Sequence, residues 1–491
     1  MIAQDVQQAF ERLWEPDVRL AVSPMLCLAG GVVLFLVADI FDFLKRLRGP
    51  IFIGAIVGAL VFELALLLGM DAPPGSVLAG SLIADETTAL WGCMFLVGSL
   101  LAWVYSIGYY RENLPFKPEH DALMLTAPVG MMLMVGAGDL ITFFIGLELL
   151  SIPLYALAAF RRARTDSVEA GIKYFVLGTF AAALFLYGAA LIYMATGTLS
   201  IADLADPANK DRLSTPMALA GLAFLGSGVF FKVAVFPFHF WVPDVYQGSP
   251  TPVTALMATG TKAAAFGFLI RVSDVLPQQA AGTIAVIALL TMLAGNLGAL
   301  VQEDLKRMLA YSSVAHAGTL LLVVAAGIAS GNQAAATNAA LVYMAAYLFT
   351  ATGAFGLIAL LESDGDRFTK LDSLRGLSRS RPGVAAAMAL FMLSLGGIPA
   401  TGGFIDKWFV FAVLIDDAKM ITVAVIGILL SVVALGYYLR VIVTIYMQPA
   451  GEQRAPTTKR PWTAGLATVI CSAMVLALGV VPAWFLDRLP F

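Results

Sequence analysis

Stretches such as "SPMLCLAGGVVLFLVADIF" and "ITVAVIGILLSVVALGYYL" run for about 20 residues with almost no charge, and at least a dozen such runs follow one another along the chain. A hydrocarbon core about 30 Å thick asks for that length of helix. Hydrophobic residues make up 60% of the sequence and charged residues 13%, against roughly 25% charged in soluble domains. The mean hydropathy of +0.86 agrees. The fold class expected is therefore all-α and integral to a membrane.

Fourteen helices are predicted, near 19–41, 51–70, 84–107, 122–138, 140–160, 169–195, 217–242, 252–273, 280–301, 306–328, 333–361, 384–414, 420–447 and 463–486. The polar connections "ADLADPANKDRLSTP" and "ESDGDRFTKLDSLRGLSRSRPG" are too short and too charged to hold cores, and read as surface loops. The N-terminal stretch "MIAQDVQQAFERLWEPD" carries acidic residues and lacks the basic region and cleavage site of a signal peptide. Cys27, Cys93 and Cys471 lie inside apolar runs with no pairing or ligand spacing, which fits packing.

The distribution of Lys and Arg orients the chain. Loops after odd-numbered helices hold eighteen of them, including Lys45, Arg161, Lys306 and Arg379, whereas loops after even-numbered helices and the tails together hold seven. Both termini are thus expected on the non-cytoplasmic side. Five basic residues lie well inside predicted helices, away from their terminal turns, instead: Lys173, Lys232, Lys262, Lys407 and Arg440. A charge at the bilayer centre costs about 3 kcal/mol on insertion scales, so it normally faces the bundle interior and marks an ion or proton path. Glu148 in "FFIGLELLSIPLY" and Glu63 in "GALVFELALLL" are acids in the same situation. Buried ion pairs that serve only packing are the alternative for all four of Lys232, Glu148, Glu63 and Lys173, and snorkelling at the helix end accounts for Arg440.

In "GVFFKVAVFPFHFW", Pro237 has no N–H for the carbonyl of Val233, so the helix carrying Lys232 is expected to break there. The loosened carbonyls beside Lys232 act as a helix C-terminus and favour an ammonium. Burial opposes this, and a carboxylate such as Glu148 supports it, leaving an amine able to exchange a proton near neutral pH. "LSLGGIPATGGFIDKWFVF" repeats the arrangement, with Pro399 among four glycines and Lys407 eight residues on. These are the seventh and twelfth predicted helices. They lie five helices apart, an odd number, so two units would sit inverted in the membrane, helices 4–8 (122–273) and helices 9–13 (280–447), between an N-terminal part (1–121) and a C-terminal helix (448–491). Lys262, with small residues and threonines around it, and the imidazoles of His239 and His316 are candidates to bridge the lysines.

The segments "GLELLSIPLYALAAF", "SVEAGIKYFVLGTFAAALFLYGAALIY", "FKVAVFPFHFWVPDVYQGSPTPVTALMATGTKAAAFG" and "GNLGALVQEDLKRMLAYSSVAHAG" resemble the antiporter-like membrane subunits of respiratory complex I, a family related to multisubunit cation/proton antiporters. The likeness runs from the third helix to the thirteenth, and "PDVYQGSPTPV" separates this chain from the sister subunits M and L. The resemblance implies proton translocation in a bacterial inner membrane, driven by electron transfer elsewhere. Its implied functional residues are Glu148, Lys232, Lys262 and Lys407, with Lys173 matching a sixth-helix lysine; Glu63 matches nothing. It also implies that NADH, FMN, iron–sulfur clusters and quinone belong to partner chains, the partners being M, L and the small subunits K, J and A.

The residues themselves offer no Cys cluster, no glycine fingerprint after a strand and no P-loop, so no cofactor or metal is expected on this chain. A net charge of −3 and short basic loops argue against nucleic acid. Two other readings stay open: a stand-alone or Mrp-type cation/proton antiporter, which usually needs a carboxylate-rich site, and a structural spacer with inert ion pairs.

Overall fold

The computed structural model describes residues 16–41, 46–69, 75–113, 117–362, 369–449 and 462–489. Lys45, Arg367, Arg454, Lys459 and Arg460, which enter the orientation argument, lie outside these. Long helices form wherever the apolar runs lie: α1 (Pro16–Ile40), α2 (Arg48–Leu67), α3 (Glu86–Asn113), α4 (Pro118–Val135), α5 (Leu140–Ala158), α6 (Thr165–Thr196), α7 (Pro216–Val233), α8 (Thr251–Arg271), α9 (Ala280–Leu300), α10 (Leu305–Ser330), α11 (Gln333–Leu361), α12 (Pro382–Gly396), α13 (Gly402–Ile415), α14 (Ile421–Tyr446) and α15 (Trp462–Val480). Among the described residues, twelve helices are long and apolar enough to cross a membrane. α4, with acidic residues in its first turn, and the shorter α12 and α13 are not among the twelve. The protein is an all-α multi-pass membrane protein.

The bundle is built around α8, α10 and α11. Every residue from Thr251 to Ile270 is buried, whereas α1, α6 and α14 expose large apolar side chains such as Val33, Phe180 and Leu429. Lipid tails or apolar partners satisfy those outer faces, so packing rather than hydrophobicity must select the inner ones. Small residues let backbones approach. A Cβ on Gly130 of α4 would lie 2.4 Å from Leu150 N and 2.6 Å from Gly146 O of α5.

Backbone pairs tie the helix connections together. A hairpin of β1 (Gly75–Val77) and β2 (Leu82–Ala84) is a small exception to the all-α expectation. Gly138 N donates to Ser81 O (2.9 Å), Leu140 N to Leu199 O (3.1 Å) and Ile201 N to Gly138 O (2.9 Å). Elsewhere Leu305 N donates to Thr369 O (2.7 Å) and Leu371 N to Glu303 O (2.8 Å). The first set joins the connections after α2, α4 and α6, the second those after α9 and α11. The 197–215 connection also holds two short helices, Ile201–Ala205 and Pro207–Leu213, where a plain loop is expected.

Two predicted helices end early. The one expected over 217–242 stops at Val233, and a short helix, Val242–Gly248, follows a series of turns. Ala234 takes a left-handed conformation (φ 65°), with Ala234 N donating to Phe231 O (3.1 Å) and Val235 N to Phe230 O (3.0 Å). This is a Schellman closure, and Pro237 lies beyond it. The helix expected over 384–414 is two helices, α12 and α13. α12 closes in the same manner, with Gly397 at φ 80°, Gly397 N donating to Ser394 O (2.9 Å) and Ile398 N to Leu393 O (3.0 Å).

Gly130→Val should force α4 from α5. Overpacking of this kind costs about 1–3 kcal/mol, so thermal unfolding of the purified variant in detergent should begin at lower temperature than for the parent.

Candidate functional site

Lys232 sits on the last turn of α7 and is 4% exposed. Its Nζ donates to Ser151 Oγ of α5 (2.7 Å) and to Tyr174 OH of α6 (3.2 Å). Trp241 stacks on the Tyr174 ring (centroids 4.6 Å apart) and donates its indole N–H to Phe231 O (3.0 Å). The turns after the break thus fold back to fix the lysine's partner. Glu148 lies one helical turn before Ser151 and within electrostatic reach of Lys232. It does not hold the amine directly. Its Oε1 is buried and has no hydrogen-bond partner among the described residues. The direct Glu148–Lys232 pairing expected from the sequence is therefore replaced by a hydroxyl pairing, with the carboxylate next in line.

Lys262, in the middle of α8, is 1% exposed and donates to the carbonyl and hydroxyl of Ser313 on α10. Tyr347 OH also donates to Ser313 Oγ (3.0 Å). The neighbouring threonines do not serve the lysine. Thr259 and Thr261 donate back to Ala255 O (2.8 Å) and Met257 O (2.6 Å) of their own helix, because a fully buried hydroxyl satisfies itself most cheaply on the preceding turn. Tyr246, in the short helix after the break, lies within electrostatic range of Tyr347 and Tyr174, between the two lysines' surroundings.

His316, three residues beyond Ser313, bonds through Nδ1 to Tyr343 OH (2.5 Å) and through Nε2 to Tyr438 OH (3.1 Å). It lines a small pocket with Asn296, Tyr437 and Lys407. Lys407 on α13 reaches back across the second break to donate to Leu395 O (3.0 Å). That carbonyl belongs to the last turn of α12, where the helix dipole is negative. A side chain at Gly397 would collide with Lys407, at 3.0 Å from its Nζ.

Other sequence candidates fall elsewhere. Lys173 lies near the start of α6, is 39% exposed, and pairs with Glu169 (2.7 Å) and Asp244 (2.7 Å), not with Lys232. His239 lies in the turns after α7; its Nδ1 is buried without a partner among the described residues, and no hydrogen bond joins it to a lysine. Glu63 is buried in α2 against Gly92 of α3. Arg440 donates to Leu300 O (2.9 Å) and Gln302 O, capping α9. Lys306, counted among loop residues by sequence, is buried and paired with Glu362 (3.2 Å).

Seven further polar residues of the interior do not stand out in the sequence as site residues: Ser151, Tyr174, Ser313, Tyr343, Tyr347, Tyr438 and the buried Asp406. Hydroxyls at helical spacing look like ordinary core residues. Asp406 had a usable signal, as an acid inside an apolar helix next to Lys407.

Amines and hydroxyls that meet inside the bundle, two of the amines beside interrupted helices, place this chain in the class of multi-pass membrane proteins with a polar interior. Residues 137–434 match the family described as NADH:quinone oxidoreductase/Mrp antiporter, transmembrane, and the chain belongs to that family. It is 40% identical over 494 residues to NADH-quinone oxidoreductase subunit N of Myxococcus xanthus, covering 94% of this chain and 95% of the relative. A chain of respiratory complex I from Thermus thermophilus superimposes with TM-score 0.77 at 35% identity, covering 94% of this chain and 98% of that one. A chain of the Mrp complex from Dietzia sp. shares the fold alone, with TM-score 0.80 at 22% identity over 96% of this chain and 95% of that one.

Asp244, in the short helix Val242–Gly248, links Lys173 of α6 to Arg307 of α10 (2.7 Å each). Partial burial pulls its carboxyl up, but the Lys173 and Arg307 contacts outweigh this and hold it below the ordinary carboxylate range. The folded state then prefers the ionised form. Its contribution to stability should be complete above the ordinary aspartate value of about 3.9 and disappear as pH falls from there through the folded-state value. Unfolding of the parent and of Asp244→Asn, compared across pH, should differ at neutral pH and converge in acid; a difference that persists in strong acid contradicts the assignment.

Proposed function

We propose that this chain is the N-type proton-translocating subunit in the membrane arm of a bacterial NADH:quinone oxidoreductase, moving protons through its buried lysine–glutamate relay while partner subunits carry out electron transfer. The observation that carries this reading is the set of buried or half-buried titratable and hydroxyl groups Glu148, Lys232, Tyr174, Lys262, Ser313, His316 and Lys407, contributed by α5, α6, α7, α8, α10 and α13. Identity to subunit N of Myxococcus xanthus over almost the whole chain supports the same assignment.

In this reading Lys232 moves between Ser151 and Glu148, which lie on one face of α5 a turn apart. When the carboxylate withdraws, the desolvated ammonium loses its main electrostatic support and releases its proton toward Lys262. One pKa unit corresponds to about 1.4 kcal/mol, so a modest change in pairing is enough. Ser313, Tyr347 and Tyr343 can each both donate and accept, and His316 offers two nitrogens, as a relay requires. Lys407, at the second break, is the last amine before the proton leaves outward.

The architecture in this reading has fourteen spans, with α4 counted and α12–α13 forming one interrupted span, both termini outside the cytoplasm of a bacterial inner membrane, and two inverted units over 122–273 and 280–447. Matching local structure supports the repeat. Asp139 and Asp304 each cap the following helix, each pairs with the connection two helices on (Ser200 and Lys370), and both breaks close in Schellman form. NADH, FMN, iron–sulfur clusters and quinone sites belong to partner chains, and the neighbours are the antiporter-like subunits M and L and the small subunits K, J and A.

Lys232→Ala and Glu148→Gln should each slow proton transfer at this site by on the order of 100-fold, the contribution of a positioned acid–base group. The readout is protons moved per electron pair by the assembled complex in inverted membrane vesicles, with assembly checked by co-purification of the other membrane subunits. Full pumping by both variants would favour a spacer role, and sodium-dependent transport by the purified chain would favour an antiporter acting alone.

A further inference from the structure

Asp406 precedes Lys407 on α13, yet neighbouring residues on a helix point apart, and the two side chains serve different surroundings. Lys407 reaches to Leu395 O and to the pocket it shares with His316. Asp406 is 2% exposed, its Oδ1 has no hydrogen-bond partner among the described residues, and it lies within electrostatic reach of Tyr343 and Tyr438. Those are the two phenols that hold His316. Asp406 and Lys407 also lie within electrostatic reach of each other, and both border one cluster of imidazole and phenols.

A buried carboxylate oxygen without a partner is costly, and an ionised carboxylate in such a place needs a cation or a proton. Packing alone gives no reason for an acid at this position, since α13, Lys407 apart, is apolar on both sides of it, in "GGFI" and "WFVF". The first break has the same composition, an amine donating to an uncharged oxygen and a carboxylate with a free buried oxygen close by. There the pair is Lys232 and Glu148.

We propose that Asp406 is the proton-accepting acid of the second break, paired with Lys407 through His316, Tyr343 and Tyr438 as Glu148 is paired with Lys232. The step is a proton transfer without redox change: the Lys407 ammonium loses a proton, the Asp406 carboxylate gains one, and the pair goes from two opposite charges to two neutral groups. Reversal recharges both. Charges created and removed together spare the interior an isolated ion in either state. This rests on the proposed proton-translocating function and adds to it a residue that the sequence argument did not single out.

The test uses the assembled complex in inverted vesicles, with Asp406→Asn, Asp406→Glu and Lys232→Ala examined side by side. Asp406→Asn keeps the shape but cannot exchange the proton. It should slow transfer at the second break by on the order of 100-fold, lower the protons moved per electron pair and alter the pH profile of pumping, while Asp406→Glu restores at least part. Asp406→Asn with parental pumping and an unchanged pH profile overturns the proposal, as does Asp406→Glu as defective as Asp406→Asn. If Asp406→Asn fails to assemble, the pH profile of Asp406→Glu decides: a shift from the parent supports the acid, and an unchanged profile overturns it. Lys232→Ala separates the two levels, since full pumping by that variant sinks the translocation reading itself, whereas its loss beside normal Asp406→Asn sinks only this inference.

Discussion

An ammonium ion enclosed by protein within a bilayer must be met by oxygen, because neither hydrocarbon nor a closed helix supplies any to spare. Each central lysine here meets that requirement in its own way. Lys232 finds hydroxyls of Ser151 and Tyr174, Lys262 the backbone and side chain of Ser313, and Lys407 a carbonyl released by the end of α12. None makes a direct ion pair among the described residues. A full salt bridge would fix the charge in place, whereas neutral oxygens, with a carboxylate one step away at Lys232 and Lys407, leave the amine's charge dependent on small movements.

The interrupted helices follow from the same need. An unbroken helix spends its carbonyls on its own N–H groups, and only at a terminus do some become available. α7 and α12 both stop inside the bundle through a left-handed residue, Ala234 in one and Gly397 in the other. Alanine in that conformation is strained by roughly 1–2 kcal/mol. The surrounding packing offsets this, with Trp241 bonded to Phe231 O and stacked on Tyr174. The break, the lysine and the phenol beside it form one construction.

Much of the architecture was legible in the sequence, since twenty-residue apolar runs have few alternatives and a charge within them stands out. Lys232, Lys262 and Lys407 stood out for that reason; the first two are buried on hydroxyl partners and the third lines a small internal pocket. Lys173 stood out by the same test, but its partner Asp244 lies 71 residues away in a short helix no hydropathy argument delimits. Lys306 was misplaced because the polar run before it resembles a surface loop, while its counter-ion Glu362 closes α11. The phenols and serines carried no signal of their own. Their roles depend on which helix faces meet, and an all-round apolar helix such as α8 gives no amphipathic pattern from which to read that.

The account depends on Lys232 changing its protonation state as the complex works. Nuclear magnetic resonance of isotope-labelled lysine side chains in the assembled complex, at rest and under turnover, addresses this most directly, with Lys232→Arg to assign the signal. The prediction is a resonance that moves between ammonium and neutral amine positions when electrons flow. A Lys232 signal that stays at the ammonium position throughout turnover would contradict it.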